Sequence, residues 1–376
     1  MKLLIISNMS HHRNNGMIVG HGATARELSI LATLFDEVRH IGCLHDEPAP
    51  SSELPYNAPN IQLVPLPPTG GTTLREKLNI LRTTPLYVST ILREIQKADV
   101  IHVRCPANIP LIAIILLTVV HHPTKRWVKY AGTWEPRKRE ALSYTFQRIW
   151  LNLNLPRSKV TVNGEWPNQS QHVYSFHNPC LTDEELIEGE KLGDLKQLAT
   201  PLRLLFVGNM IKPKGIDRVL QVAIFLRDAG VNFQLDLIGE GKNQLEFQRS
   251  AQELGIENWV KFHGGLPRPL LGEFYGKGHF ILLLSDTEGW PKVLSEAMAY
   301  GVVPLAGNVG SIGHYLNKIQ AGRFFTPTEI ESFVKAIQYY LRYPAVWKEE
   351  SGRAMSFASE FSYTSYLQAV RKLLEI

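Results

Sequence analysis

At 376 residues the chain is long for one domain and comfortable for two of about 180. Apolar residues make up 44% and charged ones 20%, an ordinary globular balance, and the longest apolar run, Ile109 to Val120 with Pro110 and Thr118 inside it, is too short to span a bilayer and reads as a buried helix. The net charge of +5 is concentrated in the first 178 residues, with 19 basic side chains against 12 acidic ones, densest from Arg104 to Arg148. Three scattered cysteines, Cys43, Cys105 and Cys180, argue against a disulfide framework or a metal cluster and imply a reducing, cytoplasmic setting. In that setting the sequons at Asn8 and Asn168 are accidental.

Residues 2–7 read as a first buried strand, since their apolar part is too short for a signal peptide. A polar loop, Asn8 to Gly22, leads to a helix from Ala23 to about Phe35. Gly20 and Gly22 leave backbone N–H groups uncovered at the helix start, a cradle for an anion or substrate, with His21 and Arg13 beside it. Strands are expected at Val38 to Leu44, Ile61 to Pro65, Val100 to Val103, Val128 to Ala131, Val160 to Asn163 and Val173 to Phe176. Helices are expected at Leu74 to Leu81, Leu86 to Gln96 and Ile109 to Val120, with a flexible loop from Pro67 to Thr73. Acidic residues 182–198 read as a helical linker.

The second half alternates strand and helix again. Strands are expected at Leu202 to Val207, Gln234 to Ile238, Trp259 to Phe262, Phe280 to Leu284, Val302 to Ala306 and Gly322 to Phe325. Two helices follow from Glu329 to Ser359, and Tyr363 to Leu374 is amphipathic. Between Leu284 and Leu294 polar residues break the run, and Pro291 suits the first position of a helix. Glu288 then lies on a loop at a strand's carboxyl end and Glu296 about one turn into the helix. Open parallel sheets bind ligands there, and a helix N-terminus attracts phosphate. Two glutamates alone are better explained as a solvated loop residue and a partner of the helix dipole.

The stretch E-G-W-P-x-x-x-S-E-A-M-A-x-G-x-x-P, residues 288–304, resembles the E-x7-E signature of retaining GT-B glycosyltransferases, most closely family four. So do Val-Gly-Asn-Met-Ile-Lys-Pro-Lys-Gly from Val207 to Gly215, Gly239-Glu240-Gly241, the V-x-F-x-G at 260–264 and Asp99-Val-Ile-His102. The likeness is strong over 200–325 and piecemeal over 1–180. It implies an α/β fold of two Rossmann-like, doubly wound domains facing each other across a cleft. Residues 1–180 would form the acceptor side, 181–200 the linker and 201–358 the donor side, and 359–376 a helix crossing back.

The resemblance further implies a retaining, metal-independent transfer of a sugar from a nucleotide-diphosphate-sugar to a carbohydrate or lipid-linked acceptor. Glu288 would hold donor-sugar hydroxyls, with Gly289, Trp290 and Pro291 shaping the sugar pocket. Lys214 and the N–H groups near Val293 and Leu294 would hold the diphosphate, Glu296 the ribose, and Gly208, Asn209, Gly239 and Gly241 would line the nucleotide. Thr133, Glu135 and the Gly20-His21-Gly22 loop would face the acceptor. The sequence departs from the family at Asn209, where an Arg is usual and where Lys212 or Arg218 would have to restore the charge. It departs again at Trp134-Glu135, where a nearby His is usual. Those departures leave open a non-catalytic nucleotide-sugar binder, or an epimerase or phosphorylase on the same fold. There is no Asp-x-Asp metal motif, no nucleophile elbow and no zincin helix, so no metal cofactor is expected and hydrolase readings have no support. The basic region, with Lys125, Arg126, Trp127, Lys129, Arg137, Lys138, Arg139 and Trp150, reads equally as a site for an anionic membrane surface or as a solvated helix face plus a buried strand. Nucleic acid is not expected as a partner, because no recognised module accompanies the charge.

Overall fold

The computed structural model describes residues 1–50, 53–68, 74–135, 140–166 and 169–376. They divide into two compact units, Met1–Phe176 together with Leu367–Ile376, and His177–Tyr366. Among them no helix is long and apolar enough to cross a membrane.

In chain order the first unit contains β1 (Lys2–Asn14), β2 (Met17–His21), α1 (Gly22–Leu31), β3 (Glu37–Leu44), β4 (Glu53–Pro55), β5 (Ile61–Leu66) and α2 (Leu74–Ile95). After these come β6 (Val100–Cys105), α3 (Asn108–Val119), β7 (Lys125–Tyr130), α4 (Leu142–Asn152), β8 (Lys159–Val162) and β9 (Val173–Ser175). Strands β5, β3, β1, β6, β7, β8 and β9 pair in parallel in that order. Their inner residues, such as Ile6, Ile41, Ile101, Val103 and Val128, are wholly buried with Ile109 and Leu117 of α3. Parallel strands covered on both faces need such continuous apolar runs, and each buried aliphatic side chain contributes about 1.5–3 kcal/mol.

Three expectations change in this unit. The polar stretch after residue 7 is not a loop: β1 continues to Asn14 and turns back on itself, pairing His11 with Gly20 and Asn14 with Met17. Asn15 and Gly16 make the two-residue turn with φ of 49° and 79°. Positive φ at both positions is what a tight hairpin demands, and Asn-Gly supplies it at least cost. Secondly, α2 is one helix that runs through Pro85 rather than two. Thirdly, α3 is only partly covered, with Ile115 and Val119 exposed. Residues 69–73 of the expected flexible loop, and Asn168, lie outside the described residues.

The second unit opens with α5 (Asp183–Leu195), started by a capping box in which Thr182 and Glu185 satisfy each other's backbone N–H groups. Next are β10 (Leu202–Val207), a 3₁₀ turn at Lys212–Lys214, α6 (Ile216–Asp228), β11 (Phe233–Ile238), α7 (Gln244–Glu253), β12 (Val260–Gly264) and α8 (Arg268–Lys277). The unit continues with β13 (Phe280–Leu283), α9 (Lys292–Ala299), β14 (Val303–Gly307), α10 (Ile312–Ile319), β15 (Arg323–Phe325), α11 (Ile330–Arg342) and α12 (Pro344–Ala358). Its six strands are parallel in the order β12-β11-β10-β13-β14-β15. The last helix, α13 (Tyr363–Leu374), begins in this unit, and its residues from Leu367 on belong to the first.

The first unit buries a polar chain beside β1. Ser7 Oγ meets His40 Nε2 at 2.7 Å, and the Tyr56 hydroxyl lies 2.7 Å from both His40 Nδ1 and His11 Nε2. Burial pushes His11 down to about 4, and it holds His40 and His102 well below the ordinary histidine value, with the Arg104 charge adding to both. These imidazoles stay neutral in the fold while the unfolded chain protonates them near pH 6.5. Between there and about pH 4 the unfolded state therefore binds more protons, so stability falls as pH falls. Each such group contributes about 1.4 kcal/mol per pH unit within its window. The midpoint of thermal unfolding is expected to drop steadily from pH 7 to pH 4.5, with a shallower slope in His11→Gln. An identical slope in that variant would show that His11 is not among the titrating groups.

Candidate functional site

In the second unit β10 and β13 are neighbours, yet the chain leaves them toward opposite edges of the sheet. That is a topological switch point, where the segments at the strands' carboxyl ends diverge and open a crevice. The segments here are the turn Gly208 to Gly215 and the loop Leu284 to Pro291. They touch: a Cβ on Gly215 would lie 2.1 Å from the Leu284 carbonyl oxygen, and Gly215 has φ 69°. The Asp286 N–H donates to the Pro213 carbonyl at 2.9 Å, and Arg218 Nη1 meets Asp286 Oδ1 at 2.7 Å. This junction brings Lys214 and Glu288 together, with Nζ 2.6 Å from Oε1.

The rest of the loop is fixed from below. The Gly289 carbonyl accepts from both the backbone N–H and the hydroxyl of Ser311, each at 3.0 Å. Trp290 departs from the expectation of a pocket wall. Its ring is buried, stacked 5.2 Å from Phe361, and its Nε1–H donates to Ser295 Oγ at 2.7 Å. What the loop offers at 290 is therefore backbone. Pro291 sits just before α9 rather than as its first residue, and its carbonyl takes the Leu294 N–H at 3.1 Å. Of the two amides expected to face an anion, that of Leu294 is therefore spent on the chain itself, and helix geometry leaves that of Val293 without an intrahelical acceptor.

Glu296 is buried and turned toward α8. Arg268 Nη1 pairs with its Oε1, and the Tyr275 hydroxyl lies 3.2 Å from its Oε2. The same guanidinium holds Glu185 (Nη2 to Oε2, 2.9 Å) and the Cys180 carbonyl. Arg268 was not anticipated from the sequence; the only cue was a cation 28 positions before Glu296, and nothing in spacing makes such a pair legible.

The glycine turns lie at the ends of the adjoining strands. Gly239, at φ 137°, passes so close to the preceding turn that a Cβ would fall 1.9 Å from the Gly208 carbonyl oxygen. Gly241 crosses Met210 in the same way, at 2.5 Å. Asn209 is exposed on the turn between them. Of the two cations that could stand in for an Arg there, Lys212 is drawn outward to Glu246 at 2.9 Å. Arg218 points into the junction: its Nη2 and Nε would lie 2.6 and 2.8 Å from a Gly215 Cβ, and both atoms are buried without a hydrogen-bond partner.

The first unit holds the remaining expected residues. Arg13 is exposed on β1, Gly20 lies in β2 against Met9, His21 precedes α1 with Nδ1 3.3 Å from Thr24 Oγ1, and Gly22 is the first residue of α1. Thr133 is half-buried and Glu135 exposed after β7. Among the described residues the β7 part of the basic region is internal, as the alternative of a buried strand expected and against that of a charged membrane-facing surface. Arg126 is buried and donates to the carbonyls of Pro123, Leu117, Val120 and Pro156. Trp127 is buried, and Lys129 and Arg104 both pair with Glu27, at 2.8 and 2.7 Å. Arg137, Lys138 and Arg139 lie outside the described residues.

Residues 192–355 match the family model described as glycosyl transferases group 1. The chain is 26% identical over 167 residues to a lipopolysaccharide 1,6-galactosyltransferase of Escherichia coli K12, covering 44% of this chain and 45% of that protein. Such alignments reach about half the length of the curated relatives. Sucrose-phosphate synthase from Thermosynechococcus elongatus superposes with a TM-score of 0.71 at 18% identity, covering 100% of this chain and 98% of that one. Anabaena HepE, solved with UDP and glucose, gives 0.68 at 14% identity, covering 100% and 99%.

Arg268 is the cation common to two carboxylates and a carbonyl, so its loss leaves Glu296 charged and half-sealed. Arg268→Met is expected to cost about 3 kcal/mol in urea unfolding, the low end for stripping a buried pair because the site is partly exposed. Arg268→Lys should recover little, since an ammonium cannot fork to both acids. A loss below about 1 kcal/mol would place the pairing among weak surface bridges.

Proposed function

We infer, from the match of residues 192–355 to the group 1 glycosyl transferase model and from the GT-B likeness of the fold, that the protein is a retaining, metal-independent glycosyltransferase of glycan, polysaccharide or lipopolysaccharide assembly. The single observation that carries the reading is the Lys214–Glu288 contact at the switch point. The donor is a nucleoside-diphosphate sugar. Its diphosphate meets Lys214, Arg218 and the Val293 amide, its sugar hydroxyls meet Glu288, and Gly208, Asn209, Gly239 and Gly241 border the nucleotide.

Before donor binds, Lys214 and Glu288 satisfy each other. A diphosphate takes over the ammonium and frees the carboxylate for hydroxyl groups, so one ion pair is exchanged for two sets of charge-assisted bonds. The bond from the anomeric carbon to the phosphate oxygen breaks while the bond to the acceptor oxygen forms on the same face. The acceptor's proton passes to the leaving phosphate. Charge grows on that phosphate, and fixed cations and amides aimed at it stabilise the transition state more than the ground state. Arg218 supplies the charge that Asn209 lacks. Glu296 spends one lone pair of each oxygen on Arg268 and Tyr275, and its remaining acceptor sites suit ribose hydroxyls.

The similarity to a lipopolysaccharide galactosyltransferase favours an acceptor at a membrane surface. On α4 the exposed residues Leu142, Phe146 and Ile149, followed by Leu153, recur at helical spacing, and Ile115 and Val119 of α3 are exposed as well. Trp150 of α4 donates to Thr118 of α3 at 3.2 Å, which ties the two helices together. The membrane contact is thus read as chiefly apolar, a short interfacial face rather than a basic one.

Two experiments test the reading. With UDP, GDP, ADP and dTDP in turn and chelator present, one nucleotide should raise the unfolding midpoint by several degrees, as a ligand at about 100 times its Kd adds roughly 2.7 kcal/mol. Lys214→Ala should abolish that shift and lower turnover on the order of 10²–10³-fold. Retained turnover would remove Lys214 from the chemistry, and binding without transfer to any acceptor would favour the non-catalytic alternative. For the surface, Phe146→Ser with Ile149→Ser should abolish co-sedimentation with anionic vesicles; sedimentation unchanged by that variant would refute α4 as the contact.

A further inference from the structure

The loop that leaves β3 returns against the far end of β1, in a part of the first unit that the reading above does not use. Parallel pairing sets His11 beside Leu44 and continues as a hydrogen bond from the His45 N–H to the His11 carbonyl, 2.8 Å. The next side chains along, His12 and His45, therefore lie on one face, with ring centroids 5.1 Å apart and planes 26° from parallel. Two residues further on, Glu47 brings a carboxylate oxygen to 4.0 Å from His45 Nδ1. One ligand atom from each of His12, His45 and Glu47 lies within 4.8 Å of the other two.

Behind them stands Glu53, on β4. Its Oε2 takes His12 Nδ1 at 2.8 Å, and both side chains are nearly buried. A carboxylate on one imidazole nitrogen fixes the tautomer and leaves the other, Nε2, as a directed lone pair; metal-binding histidines are characteristically held this way. The arrangement is graded outward. Glu53 and His12 are buried, His45 is 25% exposed, and Glu47 is 83% exposed at its tip.

We propose that His12, His45 and Glu47 bind a divalent transition-metal ion of the zinc class, with Glu53 orienting His12 from behind. Two imidazoles and one carboxylate suit zinc, and three protein ligands leave a fourth position for water or an oxygen ligand. Bonds of about 2.0–2.1 Å need the ligand atoms roughly 3.3 Å apart. His12 is already held, so the contraction falls on His45 and Glu47, which sit on the connection between β3 and β4. The bound ion would tie that connection to β1 and to the hairpin that carries Arg13 and His21. All four residues belong to the first unit, whereas Lys214 and Glu288 belong to the second. The ion site and the transferase reading therefore stand or fall separately.

The test uses the full-length chain, stripped with chelator and titrated with Zn²⁺ alone by calorimetry, with retained metal measured after gel filtration. One equivalent is expected, accompanied by a rise in the unfolding midpoint. His45→Gln and Glu47→Gln should each weaken binding at least tenfold, and Glu53→Gln by about 10- to 100-fold, as for other carboxylates that hold a metal-bound imidazole. His121→Gln with His122→Gln, a neighbouring histidine pair elsewhere in the unit, should leave the equivalent intact. Glu47 is so exposed that its substitution leaves the apo fold unaltered, so a loss of binding there cannot be a loss of folding. No stoichiometric zinc, or wild-type affinity in both His45→Gln and Glu47→Gln, would overturn the proposal.

Discussion

The second unit depends on how closely the backbone after β10 approaches the backbone after β13. Gly215 makes the approach possible, because any Cβ there would overlap the Leu284 carbonyl. The left-handed φ at the same residue ends the 3₁₀ turn and starts α6 in one step. From that contact follow the Asp286–Pro213 hydrogen bond, the Arg218–Asp286 pair and the Lys214–Glu288 pair. A larger residue at 215 would push the strand ends apart, and each of those bonds would lengthen together. The site is thus one backbone event with several side-chain consequences.

Buried cations hold the scaffold around this event, and they work through carbonyl oxygens as much as through carboxylates. The Lys196 ammonium donates to the carbonyls of Tyr275, Gly278 and Tyr300 at 2.7–2.8 Å, joining the ends of α8 and α9. Burial, with Lys348 nearby, pushes this lysine down to about 7. Arg268 does the same for α5, α8 and α9 through Glu185, Glu296 and Cys180. In the first unit Arg126 gathers four carbonyls at the edge of β7. Each cation stands where several chain segments converge, so their carbonyls are satisfied by one group instead of by water. The basic excess of the first 178 residues is consequently a poor guide to surface charge.

That explains where the sequence was legible. The β13-loop-α9 stretch could be read because strand, Pro and closing Gly each follow from local chemistry, and because the E-x7-E spacing reports residues close along the chain. Strands β10 to β15 were placed to within about two residues for the same reason, since buried parallel strands announce themselves as apolar runs. The hairpin of β1 and β2 was missed although Asn15-Gly16 is a strong turn signal; His11 and His12 before it are buried, and their polarity masked the strand. Trp290 and Glu296 were read by their neighbours in sequence, but their orientation is decided by Phe361, Ser295, Arg268 and Tyr275, which are remote or belong to the far side of a helix. Pairings across such distances leave no periodicity.

The electrostatic logic of the junction follows from these placements. Lys214 and Arg218 each face a carboxylate, Glu288 and Asp286, contributed by the same loop after β13. Two cations held this close repel, and without those carboxylates the turn would carry an uncompensated positive charge at the mouth of α6, where the helix dipole is already positive. The acids neutralise that charge, and on the proposed reading they are also the groups that a diphosphate replaces at the cations while the backbone stays in place. Fixed backbone and exchangeable partners are the two conditions for preorganised charge stabilisation.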